Sequence, residues 1–156
     1  MELIPGANHA IRRLTEAGLA VVLVTNQAGI ARGLYSEADY VRVAERLDQV
    51  MHAVGIRVDG TYYCPHHPDH GGPCYCRKPG TGLYLRAARE LDVDTSASYY
   101  VGDKLSDVLP ARALGGLGIL VRTGYGAQFE PELPEEFLVA DDVSGAVDII
   151  VKDKGA

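Results

Sequence analysis

Cys64-x-His66 and Cys74-x-Cys76 bring three thiols and an imidazole into thirteen positions, and these are all the cysteines of the 156-residue chain. Four N/S ligands complete a tetrahedral shell, so the spacing predicts a closed structural zinc (Zn2+) site in a zinc loop spanning residues 64–76. A loop with Pro68, Gly71, Gly72 and Pro73 has little apolar surface to bury, and a metal would order it. The competing reading is three incidental thiols, and His67 or His70 could each replace His66 as fourth ligand.

A second set of residues suits an anion. Thr25, Asn26 and Gln27 follow an apolar run and offer a hydroxyl, amides and backbone N–H groups to a phosphate oxygen. Arg77-Lys78 comes directly after Cys76, pairing a fork that grips oxygens with a point charge. Asp103, after Val101-Gly102, could ligate Mg2+, with Asp107 one helical turn further on in support. Each segment has an ordinary structural reading, as a strand end, a solvated basic pair or a helix cap. Their convergence is what points to chemistry.

The elements that must position them follow from the hydrophobic pattern. Short apolar runs alternate with amphipathic stretches, as in an α/β domain with a largely parallel sheet. Strands are expected over residues 19–25 (buried on both faces), 59–64, 98–102, 117–121 and 137–140. Helices are expected from Ser36, with Tyr40, Val43, Leu47, Val50 and Val54 as an apolar stripe, and over 82–91, 106–114 and 143–151. Residues 124–135, rich in Gly, Pro and Glu, read as a loop. In such folds the working residues lie beyond the carboxyl ends of the strands, where Thr25, Cys64 and Asp103 fall.

Bulk properties narrow the partners. The length suits a single domain over 1–156. A formal charge of −6 argues against nucleic acid or an anionic membrane surface. No apolar run is long enough to span a bilayer, and Met1-Glu2 opens no signal peptide. The expectation is a cytoplasmic monomer acting on a small phosphorylated molecule.

Four blocks carry a resemblance: Val-Thr-Asn-Gln-Ala-Gly-Ile-Ala-Arg-Gly at 24–33, Tyr-Tyr-Cys-Pro-His-His-Pro at 62–68, Cys-x-Cys-Arg-Lys-Pro at 74–79, and the segment from Ser98 to Asp107. They resemble the haloacid-dehalogenase-like (HAD-like) phosphatases, in the zinc-containing branch that includes D,D-heptose 1,7-bisphosphate 7-phosphatase and histidinol-phosphate phosphatase. The match runs from Leu3-Ile4-Pro5-Gly6 to about Gly126. It implies a Rossmann-like three-layer α/β/α fold and a Mg2+-dependent aspartyl-phosphate mechanism serving lipopolysaccharide precursor biosynthesis. By matching position, Thr25 and Lys78 would stabilise the phosphoryl group. Asn26, Gln27, Arg77 and Lys104 would contact substrate, and Asp103 would bind Mg2+. Cys64, His66, Cys74 and Cys76 map onto the zinc ligands.

Departures accompany the match. The Asp-x-Asp-Gly strand that opens the family, with its nucleophile and two of three Mg2+ ligand groups, does not occur in these 156 residues. That strand is central in the family's sheet, so the sequence reads as N-terminally truncated and inactive as it stands. Ala28 replaces the usual Ser, and Gly80-Thr81-Gly82 alters the pattern after Lys-Pro. A non-catalytic sugar-phosphate-binding protein is the competing function.

Overall fold

A computed structural model describes residues 5–155; the Leu3-Ile4 start of the family match lies outside them. The order is α1 (Ala7–Glu16), β1 (Val22–Asn26), α2 (Ala28–Ala31), α3 (Glu37–Ala53), β2 (Gly60–Cys64), α4 (Gly82–Leu91) and β3 (Tyr99–Gly102). There follow α5 (Leu105–Val108), α6 (Pro110–Leu114), β4 (Leu117–Val121), α7 (Gly126–Phe129), β5 (Leu138–Ala140) and α8 (Val143–Asp153). All strand pairings are parallel, and helices cover them, as the alternating pattern predicts. No helix among the described residues is long and apolar enough to cross a membrane.

The expected single sheet is in two pieces, β1-β2 and β3-β4-β5. Val21 O accepts from Asp59 N and Gln27 N donates to Cys64 O, so the odd positions of β1 face β2. Alternation turns the backbone groups of Val22 and Val24 the other way. On β3, Ser98 O accepts from Leu117 N, which leaves Tyr99 and Val101 facing away from β4. These two free edges border one groove of about 490 Å³, whose lining includes Val22, Val24, Lys78, Tyr84, Tyr100 and Asp107. The groove corrects one expectation: β1 is half-buried along its length, not sealed on both faces.

The best-sealed part of the core forms where β4 and β5 meet α8, a helix that also lines the groove. Ile119 and Leu120 of β4 are fully buried, and Ile119, Val121 and Ala140 pack on Ala146 and Ile150 of α8. A second cluster joins Tyr62 and Cys64 of β2 to Leu83 and Ala87 of α4, with Cys74 and Cys76 laid against it. The metal loop is thereby tied to the core through its own cysteines.

Helix α3 begins as its sequence dictates. Ser36 Oγ accepts from Asp39 N, and an Asp39 carboxylate oxygen accepts from Ser36 N, each at 3.0 Å, a reciprocal capping box. Ser36→Ala should cost about 1 kcal/mol and lower the thermal midpoint by about 2–4 °C, measurable by scanning calorimetry. The expected stripe is buried only in part: Tyr40 is buried and Leu47 and Val50 are half-buried, but Val43 is 53% and Val54 37% exposed, and Met51, outside the stripe, is buried. Three further differences have local causes. The helix expected over 106–114 divides at Pro110, which opens α6. Helix α1, absent from the sequence expectation, is held to α8 by the Arg13–Asp148 ion pair at 2.5 Å. Residues 124–135 are not a plain loop, since α7 and a 3-10 turn at Glu130–Glu132 form there. Arg122 draws that turn in, donating to Glu130 and, from its other arm, to Asp141.

Candidate active site

The four predicted metal ligands converge. Cys64 Sγ lies 3.6 Å from His66 Nδ1 and 3.5 Å from Cys74 Sγ, and Cys76 Sγ lies 3.5 Å from Cys74 Sγ. A tetrahedral zinc with bonds of about 2.0–2.3 Å separates its ligands by roughly 3.5–3.8 Å, so these spacings fit. Cys76 sits closer, 2.9 Å from Cys64 Sγ and 3.1 Å from His66 Nδ1, and would move outward on a bound ion. Burial pushes the Cys64 thiol up; burial and the two neighbouring thiols push Cys76 up to about 12. For Cys74 burial acts upward too, but the Arg77 N–H and the other two thiols outweigh it and bring it down to about 7. Three thiols this close cannot all ionise without a cation among them. His67 and His70 meet with tilted rings, centroids 5.4 Å apart, and lie outside the four-ligand cluster.

The metal loop delivers Lys78 to the end of β1. Asn26 braces it from both sides: Asn26 Oδ1 accepts from Lys78 N at 3.0 Å and Asn26 Nδ2 donates to Lys78 O at 3.3 Å. Lys78 Nζ donates to Val24 O on the free edge of β1 at 2.9 Å and to Asp107 Oδ1 at 2.5 Å. The side chains of Lys78 and Asp107 are 11% and 13% exposed, so the pair sits in the groove wall. The second oxygen of Asp107 accepts from Lys104 N. Gly102 permits this approach, because a Cβ there would lie 2.3 Å from Asp107 Cβ. Tyr84 also lines the groove, and burial together with the Asp107 charge raises its phenol.

The remaining candidates occupy the rim. Thr25 Oγ1 accepts from Gln27 Nε2 at 3.0 Å. One oxygen of Asp103 accepts from Tyr125 N at 3.0 Å; the other accepts no hydrogen bond among the described residues. Lys104 is exposed with its ammonium 5.0 Å from the Tyr125 ring centroid. Arg77 is half-buried and reaches His66 O at 3.5 Å. Asn26, Lys78 and Asp107 are thus joined by hydrogen bonds, with Thr25 next to Asn26 in β1, whereas among the described residues the side chains of Arg77, Asp103 and Lys104 form no hydrogen bond or ion pair with Lys78. The Lys78 pairing of Asp107 is a role that sequence spacing, which set Asp107 beside Asp103, did not disclose.

Known proteins are similar to this chain in sequence and fold. A HAD-hydrolase-like family model matches residues 75–146. The chain is 42% identical over 144 residues to the D-glycero-beta-D-manno-heptose-1,7-bisphosphate 7-phosphatase of Yersinia pestis, with 88% of this chain and 77% of that protein covered. The chain belongs to the HAD-like phosphatases. It is also 43% identical to the enzyme of the same name from Escherichia coli K12, covering 90% of this chain and 74% of that one. The D,D-heptose 1,7-bisphosphate phosphatase of B. bronchiseptica, crystallised with magnesium and phosphate, superposes with a TM-score of 0.86 at 38% identity. That superposition covers 96% of this chain and 84% of the other. The three-layer HAD-like fold expected from the sequence therefore stands, with its sheet opened at the groove.

Proposed function

We propose that this site serves a phosphatase that converts D-glycero-beta-D-manno-heptose 1,7-bisphosphate to the 1-phosphate. The observation that carries the reading is the Asn26–Lys78–Asp107 assembly, an ammonium braced against β1 through Val24 O and Asn26. The names of the relatives supply the substrate. Residues 5–155 then act as one HAD-like domain, cytoplasmic and monomeric, whose zinc loop at 64–76 sets the height of Arg77 and Lys78.

Each residue has a task that its chemistry permits. Thr25 Oγ1 donates to a phosphate oxygen, and Lys78 neutralises charge that grows there as the ester bond breaks. Asn26 fixes the Lys78 backbone, and Gln27 holds Thr25. Arg77 and Lys104 lie on the rim, placed to meet sugar hydroxyls or the second phosphate. Asp103, with one oxygen unengaged, would hold Mg2+, whose contribution is to screen the phosphate charge. Cys64, His66, Cys74 and Cys76 would hold zinc, which shapes the loop and takes no part in bond making. The attacking carboxylate has no counterpart in these 156 residues. The groove between β1 and β3 opens beside Lys78, where a strand carrying it would lie.

Two measurements test the reading. The 156-residue chain should release no phosphate from any ester, because the covalent route lacks its nucleophile. The same chain joined to an Asp-x-Asp-Gly strand should release phosphate from the heptose bisphosphate in preference to histidinol phosphate, and Asp103→Asn should then abolish release. Faster turnover of histidinol phosphate would move the substrate assignment to the other member of this branch. Phosphate binding by the joined chain without turnover would favour a non-catalytic binding protein.

A further inference from the structure

Tyr35 had no place in the expected site, yet it ends a chain of hydrogen bonds that begins at the phosphate-facing hydroxyl. Tyr35 Oη donates to Gln27 Oε1 at 2.6 Å, and Gln27 Nε2 donates to Thr25 Oγ1 at 3.0 Å. The polarity follows from donor inventory: a phenol that donates to the carboxamide oxygen turns the amide nitrogen toward Thr25. Thr25 Oγ1 then serves as acceptor to Gln27, and its own O–H is left for another partner. Among the described residues its acceptor is Asn26 O at 3.5 Å, at the outer limit of a hydrogen bond.

The segment is folded to bring this about. Helix α2 ends in a turn at Gly33, with φ of 74°, and Leu34 N donates back to Gly29 O at 2.9 Å. That return lays the Tyr35 ring on Gly29, where a Cβ would fall 2.2 Å from Tyr35 Cε1. Gly29 has an ordinary helical backbone, so its missing side chain matters as space for the ring. Tyr35 is half-buried, so its bond to Gln27 is partly sheltered from water.

We infer that Tyr35 and Gln27 are positioning residues: Tyr35 orients the Gln27 carboxamide, which holds the Thr25 hydroxyl with its proton directed at a phosphate oxygen. The use of that proton rests on the phosphatase reading; the orientation of Thr25 does not. Gln27 thereby acts through Thr25 instead of touching the sugar.

The test uses the 156-residue chain, with inorganic phosphate as the probe. Three-bond couplings about the Thr25 Cα–Cβ bond should report one rotamer in the wild type and averaged rotamers in Tyr35→Phe, which keeps the ring and loses the hydroxyl. Gly29→Ala keeps the hydroxyl and displaces the ring, and it should give the same averaging. Phosphate titrated by NMR should bind about three- to tenfold more weakly in both variants, with the thermal midpoint of Tyr35→Phe unchanged. Unaltered Thr25 couplings in Tyr35→Phe overturn the inference whether or not phosphate binds. A wild type that shows the single rotamer, loses it in Tyr35→Phe and binds no phosphate, either alone or joined to an Asp-x-Asp-Gly strand, upholds the relay and removes the phosphatase reading.

Discussion

Treating the protein with a chelator of any metal held by the Cys64–His66–Cys74–Cys76 cluster, or replacing Cys76 by Ser, should abolish phosphate binding and lower the thermal midpoint by on the order of 10 °C. The size follows from what else holds the loop. Between β2 and α4 there is neither helix nor strand, and its tip residue Tyr75 is 92% exposed. Backbone bonds from Gly80 N to Arg77 O and from Gly82 N to Tyr75 O close its last turn, and its packing on the core runs through Cys74 and Cys76, the same side chains that would hold the metal. Structural zinc contributes about 10 kcal/mol or more in small metal-folded peptides. A third of that here, at about 2–4 °C per kcal/mol, accounts for the shift. Binding is lost with it because Lys78 is two residues beyond Cys76 and takes its position from the loop. The sign with pH is set by competition for the thiols: protons displace the metal as pH falls, so acidification should mimic chelation. Chelator-treated protein that keeps its melting temperature and still binds phosphate would sink the structural role of the metal. Calorimetry with and without chelator, repeated at two pH values, decides it.

The second large effect belongs to Lys78. Lys78→Ala should weaken phosphate binding about a hundredfold, the scale of losing one charge-stabilising donor. It should also destabilise the fold. Removing the ammonium leaves Asp107, 13% exposed, as a carboxylate without its countercharge and leaves Val24 O without its donor. Breaking a fully buried pair costs about 3–5 kcal/mol, and residual solvent access reduces that here to roughly 2–3 kcal/mol. Adding Asp107→Asn to Lys78→Ala separates the two effects. The double variant should recover most of the stability and none of the binding, as urea unfolding and phosphate titration would show. Binding that survived in either variant would remove Lys78 from the anion site.

The Cys/His cluster is legible in the sequence because its signal is local. Thiols and an imidazole at two-residue spacings inside a short Pro- and Gly-rich loop suit little besides a metal ion, and all four come together. Strand β4 and helix α4 are legible for a related reason: a buried apolar run and a complete amphipathic stripe carry their own periodicity, and both form over the expected residues. The Ser36 capping box belongs with them, being written in four consecutive residues.

Other features depend on groups far apart in sequence, and only folding brings them together. Asn26 and Lys78 are 52 residues apart, Lys78 and Asp107 are 29 apart, and no periodicity joins them. Asp107 reads as a metal-supporting carboxylate because its nearest chemistry in sequence is Asp103; packing of α5 against β3 gives it to Lys78 instead. Helix α7 and its 3-10 turn escape a sequence reading because Gly and Pro argue locally for a loop, while Arg122 reaching Glu130 and Asp141 outweighs that preference. The residue types alone determined a Cys/His cluster able to hold a metal and a strand end bearing a hydroxyl and amides in an α/β frame. Tertiary structure decided that the sheet opens at a groove and which side chains hold Lys78 and Thr25, because hydrogen-bond partners and free strand edges are set by three-dimensional proximity, which sequence spacing does not encode.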